Sequence, residues 1–141
     1  MSEVLLVDDE IDYNETLAER LTARGMKVQT ATNGKEAIEK ARATFFDAIL
    51  LDYAMPGLDG IETLKQIRQI NPNIQVIMLT GHATVDTGVR AIKEGATDLL
   101  QKPVDFQKLV DKIGEAAAKK VIFVERQNEE QIQEILTRRS W

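Results

Sequence analysis

The chain has no cysteine, which excludes disulfides, thiolate nucleophiles and cysteine-bound zinc together and fits a reducing compartment. Histidine is nearly absent as well: His82 stands alone, so neither a histidine metal site nor a catalytic triad can be assembled. Long apolar runs are missing, none approaching the roughly 20 residues of a membrane span, and Met1-Ser2-Glu3 lacks the basic start of a signal peptide. The expected location is therefore the cytoplasm, with no membrane contact. Positive charge is in deficit, 18 Lys and Arg against 23 Asp and Glu, for a formal charge of -5. That balance offers no basic surface for direct nucleic acid binding, so whatever the chain controls is expected to be reached through protein contacts. Internal repeats and low-complexity tracts are lacking too.

What is present is an alternation of short apolar runs with amphipathic segments, the pattern of an α/β fold around a parallel sheet. At 141 residues the chain is long enough for one domain with its own core plus a modest appendage. Strands are predicted at 4–7, 27–31, 47–52, 74–79 and 98–101. Between them, helical spacing places Tyr13, Leu17, Ala18 and Leu21 on one face before Gly25, and Ala37, Ile38 and Ala41 on another after the Asn33-Gly34 turn. A third helix buries Ile61, Leu64 and Ile67 after Leu58-Asp59-Gly60 and stops at Asn71-Pro72, and a fourth carries Val85, Val89 and Ile92 before Gly95. A fifth follows Lys102-Pro103 with Phe106, Leu109, Val110 and Ile113. Five βα units with short right-handed crossovers predict a doubly wound five-stranded parallel sheet, order 2-1-3-4-5, flavodoxin-like.

The domain is predicted to span residues 1–119, and residues 120–141 to form a C-terminal helical extension or linker. Ala116-Ala117-Ala118 favours helix. Beyond it, Val121-Ile122-Phe123-Val124 is a compact apolar cluster, and Ile132, Ile135 and Leu136 have little reason to be apolar in water alone. Two readings stay open for the tail: a solvated helix, and a helix that dimerises or docks a partner.

In a 2-1-3-4-5 sheet, strands one and three are neighbours at the switch point, and ligands bind beyond the carboxyl ends of such strands. Asp8 and Asp9 follow the first strand, Asp52 ends the third ahead of a Met55-Pro56-Gly57 turn, Thr80 follows the fourth and Lys102 the fifth. Each alone has an ordinary explanation. A strand-end Asp caps a helix or solvates a loop, Thr80 caps the fourth helix, and Lys102 is a surface lysine in a turn. Their coincidence on one edge points instead to a phosphoryl-accepting site. Three carboxylates within about 5 Å repel by roughly 3 kcal/mol per pair at an effective dielectric near 20. A small hard cation, Mg²⁺, removes that difficulty and keeps room for water and a phosphoryl oxygen. Asp52 is then the expected nucleophile, giving an acyl phosphate. Lys102 offsets charge on the equatorial oxygens. The Thr80 hydroxyl donates to a phosphoryl oxygen, and its movement pulls on the loop behind it. His82 is either a loop residue without a role or a group at the site's rim. Tyr53 and Met55 are expected as packing or rim residues, and Phe45 and Phe46 as core or helix-packing groups.

Val7-Asp8-Asp9-Glu10, Leu51-Asp52-Tyr53-Ala54-Met55-Pro56-Gly57-Leu58-Asp59-Gly60, Leu79-Thr80-Gly81-His82-Ala83 and Leu100-Gln101-Lys102-Pro103 together resemble the receiver domain of two-component response regulators (CheY-like), from residue 3 to about 118. The resemblance implies that a sensor histidine kinase or phosphotransfer protein phosphorylates Asp52. It implies that Asp8, Asp9, Asp52 and the backbone carbonyl of Ala54 hold Mg²⁺, and that Thr80 and Lys102 bind the phosphoryl group. A cis peptide between Lys102 and Pro103 is implied as well. The chain is then a phosphoacceptor regulator whose only chemistry is its own phosphorylation and dephosphorylation, acting on a downstream protein or effector domain. A homodimer would form through the helix four to helix five face or through the tail.

One position departs from the family pattern: Leu99 stands where many members carry an aromatic that turns inward when the threonine moves, so the usual aromatic relay is not expected. Other classes fit less well. A haloacid-dehalogenase-type phosphatase would need a second acid where Ala54 stands. A flavodoxin would need a hydroxyl-rich phosphate loop where Asp8-Asp9-Glu10 would repel the cofactor. A receiver-like module that works without phosphorylation shares every residue named and remains the alternative.

Overall fold

Five short runs rich in Val, Ile, Leu and Ala form β1 (Glu3–Val7), β2 (Lys27–Ala31), β3 (Ala48–Asp52), β4 (Val76–Thr80) and β5 (Asp98–Gln101). They come from a computed structural model that describes residues 2–55 and 57–139, with side chains described except over 120–128 and 134–139. The strands pair in parallel in the order β2-β1-β3-β4-β5, as the crossover rule predicts. Five helices follow the strands in turn: α1 (Ile11–Ala23), α2 (Gly34–Ala43), α3 (Gly60–Ile70), α4 (Val85–Lys93) and α5 (Phe106–Arg139).

β3 and β4 are buried at every position, because helices cover both faces of the sheet. Alternate residues therefore supply two separate cores. Leu5, Val7, Ile49, Leu51, Val76 and Met78 pack with Ile38 of α2 and with Ile61, Leu64 and Ile67 of α3. Val4, Leu6, Leu50, Ile77 and Leu79 pack on the other face with Leu17 and Leu21 of α1 and Leu109, Ile113 and Ala116 of α5. Each large side chain so enclosed contributes about 1.5–3 kcal/mol.

Local chemistry sets the helix ends. The Asn33 and Asp59 side chains accept from the N–H groups of Glu36 and Glu62, at 2.9 Å each, and open α2 and α3. Thr84 and Thr87 form a reciprocal capping box at the start of α4. Gly25 and Gly95, at φ +89 and +99, turn the chain out of α1 and α4.

Three expectations are revised in detail. β4 starts two residues later than predicted and runs on to Thr80, because the Ile74 N–H closes a turn on the Asn71 carbonyl at 3.2 Å. Phe46 is buried in the core that holds Ile49, Leu51 and Ile67, whereas Phe45 beside it is 52% exposed. Val85, Val89 and Ile92 share a face of α4, but that face is turned to solvent, with Val85 82% exposed. The inner side of α4 is small: Ala91 is its one buried residue among those described, and a Cβ on Gly88 would lie 3.8 Å from the Leu99 side chain.

α5 runs as a single helix past the body of the domain, and Ile132 on it is 56% exposed. The apolar cluster at 121–124, with Ile135 and Leu136, lies outside the described side chains. Among the described residues no helix is long and apolar enough to cross a membrane.

Gly60 ties the fold to the strand tip that carries Asp52. Its N–H donates to the Tyr53 carbonyl at 3.1 Å, and a Cβ there would sit 2.5 Å from the Asp52 carbonyl and 2.7 Å from that of Tyr53. Gly60→Ala is expected to lower stability by about 1–3 kcal/mol in urea unfolding, whereas Val89→Ala on the outer face of α4 stays within about 0.5 kcal/mol.

Candidate functional site

The register of β1 on β3, Val7 beside Leu51, puts Asp8 next to Asp52 just beyond the carboxyl edge of the sheet. Asp9 completes a cluster in which one carboxylate oxygen from each of the three residues lies within 4.8 Å of the others. Asp8 and Asp52 are buried while Asp9 is exposed, so the cluster is open on one side only. Asp8 is anchored by its backbone N–H, which donates to the Ala31 carbonyl at 3.1 Å, and its Oδ1 accepts from the Glu10 N–H at 2.9 Å. Its role in shaping the turn and its place in the acidic cluster are thus compatible.

Thr80 ends β4 and is buried, and β5 runs beside it so that the Lys102 N–H donates to the Thr80 carbonyl at 2.7 Å. Thr84 caps α4, which removes the ordinary explanation for Thr80. The Thr80 hydroxyl oxygen accepts instead from the backbone N–H of His82, at 3.1 Å, and His82 itself is exposed at the rim. The Lys102–Pro103 peptide is cis. The Lys102 ammonium lies 2.6 Å from Asp8 Oδ2 and 3.8 Å from Asp52 Oδ1. Ala54 borders the site from the loop after β3, its N–H donating to Asp52 Oδ1 at 3.4 Å. Met55 is buried in the core, and Tyr53 packs against it with its hydroxyl accepting from Arg90 of α4 at 3.3 Å. The structure therefore gathers Asp8, Asp9, Asp52 and Lys102 and sets Thr80 on the neighbouring strand end.

Two residues of α1 join this edge, Tyr13, which the helical spacing places only on an apolar face, and Asn14, to which that spacing gives no role. Tyr13 places its ring 4.6 Å from the Lys102 ammonium. Asn14 is buried, and its amide donates to the Ala31 carbonyl at 3.1 Å, pinning the first turn of α1 to the strand ends. The available signal was a polar residue on the apolar stripe that Asn14, Leu17 and Leu21 share.

Burial raises the Asp52 carboxyl from its ordinary value of 3.8 to about 6, with the Asp8 charge adding to the shift and Lys102 and the Ala54 N–H opposing it. Burial also acts to lower the Lys102 ammonium, but the hydrogen bond and charge of Asp8 and the charge of Asp52 outweigh it, and the net shift is upward. Among the described residues, the Lys102 ammonium thus pairs with two of the three clustered carboxylates. An all-oxygen donor set, with one exposed member giving access, fits a hard divalent ion such as Mg²⁺ and offers nothing to a soft one.

The family described as response regulator receiver domain matches residues 4–114. The transcriptional regulatory protein ZraR of Klebsiella oxytoca is 46% identical over 116 residues, which are 82% of this chain and 26% of that protein. The chain thus spans about a quarter of the length of this curated relative. A response regulator receiver domain protein from Clostridium thermocellum superposes with a TM-score of 0.81 at 34% identity, covering 87% of this chain and 99% of the other. A response regulator from Burkholderia pseudomallei, described with a phosphorylated aspartic acid, a calcium ion and citrate, superposes with a TM-score of 0.76 at 27% identity, covering 98% of this chain and 85% of that one.

The raised Asp52 carboxyl has a consequence for stability. Its folded value lies above its unfolded one, so its contribution is present in full below about pH 4 and is lost as pH rises through about 6, a span worth about 3 kcal/mol. In chelator, Asp52→Asn should therefore be more stable than wild type at pH 7.5 by up to about 3 kcal/mol, with the gap closing between pH 6 and about pH 4. Parallel urea titrations across that range measure it, and adding Mg²⁺ at pH 7.5 should stabilise wild type more than the Asn variant.

Proposed function

The chain belongs to the response regulator receiver domain family, and on that premise we propose that Asp52 accepts a phosphoryl group from the phosphohistidine of a sensor kinase or phosphotransfer protein. The observation that carries this reading is a buried carboxylate at a strand tip, 3.8 Å from an ammonium and within one acidic cluster with Asp8 and Asp9. Asp52 in its ionised form attacks phosphorus in line. The P–N bond breaks as the P–O bond forms, and the imidazole nitrogen keeps the bonding pair. Lys102 pairs with an equatorial phosphoryl oxygen, and the Thr80 hydroxyl, which donates to no partner among the described hydrogen bonds, turns toward another. Asp8, Asp9, Asp52 and the Ala54 carbonyl are the residues that would hold Mg²⁺, which when bound supplies neutralising charge at the phosphoryl oxygens.

The output runs through protein contacts in the cytoplasm. With Leu99 in the place of the relay aromatic, α4 responds through the loop between Thr80 and Thr84, and its outer face with Val85, Val89 and Ile92 is offered to a downstream protein, an effector domain or a second copy of the chain. Residues 1–119 form the receiver unit and 120–141 the C-terminal extension or linker, within which α5 continues as far as Arg139. The ZraR relative is a transcriptional regulator roughly four times as long as the matched segment, which supports an effector attached beyond this unit.

Incubation with acetyl phosphate and Mg²⁺, followed by intact mass, should show the gain of one phosphoryl group, abolished in Asp52→Asn and slowed about tenfold or more in Lys102→Ala. Wild type that gains no mass, or an Asn variant that gains it equally, overturns the proposal. Amide exchange over residues 80–94 should change on phosphorylation of wild type and remain unchanged in Thr80→Ala, which still takes up the group.

A further inference from the structure

The Lys102 ammonium is enclosed on two sides by different chemistry. Asp8 and Asp52 face it at 2.6 and 3.8 Å, and the Tyr13 ring lies behind it with its centroid at 4.6 Å, inside the range in which a ring face attracts a cation. We propose that Tyr13 is a positioning residue for the phosphoryl chemistry, its ring face supporting the Lys102 ammonium as that group leaves Asp8 for the phosphoryl oxygens on Asp52. The role rests on Asp52 being the phosphoacceptor.

The shorter of the two carboxylate contacts is the one to Asp8, a member of the acidic cluster, and not the one to the acceptor. To reach oxygens on a phosphorylated Asp52, Lys102 must loosen its bond to Asp8. A largely enclosed ammonium, its side chain 16% exposed, cannot exchange that bond for full hydration. A ring face meets the need because its attraction has no hydrogen-bond direction to break and carries no net charge to hold the lysine back. A carboxylate at position 13 would do the reverse and add a fourth negative charge. An aliphatic side chain would leave the ammonium unsupported.

The ring is also held in place. Tyr13 is half-buried in the first turn of α1, next to Asn14, whose buried amide is bonded to the Ala31 carbonyl. It borders a cavity of about 220 Å³ shared with Leu17, Pro103, Val104, Phe106 and Leu109, so it meets the loop that carries Lys102 as well as the helix that carries itself. Nothing in this support uses the phenol hydroxyl, and phenylalanine should serve equally.

If Tyr13 were only packing, its loss would lower stability and leave Lys102 chemistry alone. Two measurements separate the cases. In the metal-free protein with lysines carrying ¹³C-methyl groups, the Lys102 signal, identified by its absence in Lys102→Arg, should be shifted upfield by the ring, return to the ordinary position in Tyr13→Leu and recover in Tyr13→Phe. With acetyl phosphate at saturating Mg²⁺, Tyr13→Leu should be phosphorylated about three- to tenfold more slowly, and Tyr13→Phe should restore the rate. In a Lys102→Ala background the Tyr13→Leu change should have no further effect. A Leu variant as fast as wild type, a Phe variant as slow as the Leu one, or an equal loss without Lys102 overturns the role. Wild type that takes up no phosphoryl group brings down the phosphoacceptor reading and the role with it, while the methyl signal alone still reports whether the ammonium lies over the ring.

Discussion

Among the described residues, three carboxylates share the tips of two adjacent strands with the Lys102 ammonium, and two of them, Asp8 and Asp52, are held in place by the strands that carry them. Asp52 is the last residue of a strand buried along its whole length, and Asp8 follows one whose last four residues are buried. Relaxing the repulsion by displacement would disturb the pairing of β1 with β3 and the packing on both faces of the sheet. The strain therefore stays in the charges, and it surfaces as an Asp52 carboxyl held near 6 by burial and by Asp8. A group so placed gains from whatever brings positive charge to it.

Much of that arrangement was legible from residue order. The βα alternation dictates the sheet, the crossover rule leaves few strand orders, and Asp8, Asp9, Asp52, Thr80 and Lys102 each sit at the end of an apolar run, so their convergence follows from topology. What could not be read depends on contacts between distant segments. The Asn14 amide finds its acceptor on Ala31 at the end of β2, and Tyr13 finds its cation on a loop far along the chain. Periodicity says that Val85, Val89 and Ile92 share a face of α4; it carries no sign to say which way the face turns. Phe45 and Phe46 are equally apolar, and only the packing of Phe46 against residues of β3 and α3 distinguishes the one that enters the core. β4 starts later than the apolar run suggests because a turn after α3 claims Ile74.

The site is coupled to its surroundings by few links. Tyr53 follows Asp52 directly and reaches α4 through its hydroxyl and Arg90, while Arg68 of α3 donates to the Gly95 carbonyl at the far end of the same helix. Thr80 and His82 hold the intervening loop by one hydrogen bond. These polar ties join Tyr53 and α3 to α4 and the turn after it, and brace the loop that leads into that helix.

The small inner face of α4 sets how cheaply that helix can respond. An element whose one buried residue is Ala91, with Gly88 beside Leu99, forfeits little buried apolar area when it slides or rolls, and Val85, Val89 and Ile92 already meet water. A helix held by so little buried area is the part of this fold whose pose a change in the loop at Thr80, or a molecule covering Val85, Val89 and Ile92, would shift at least cost.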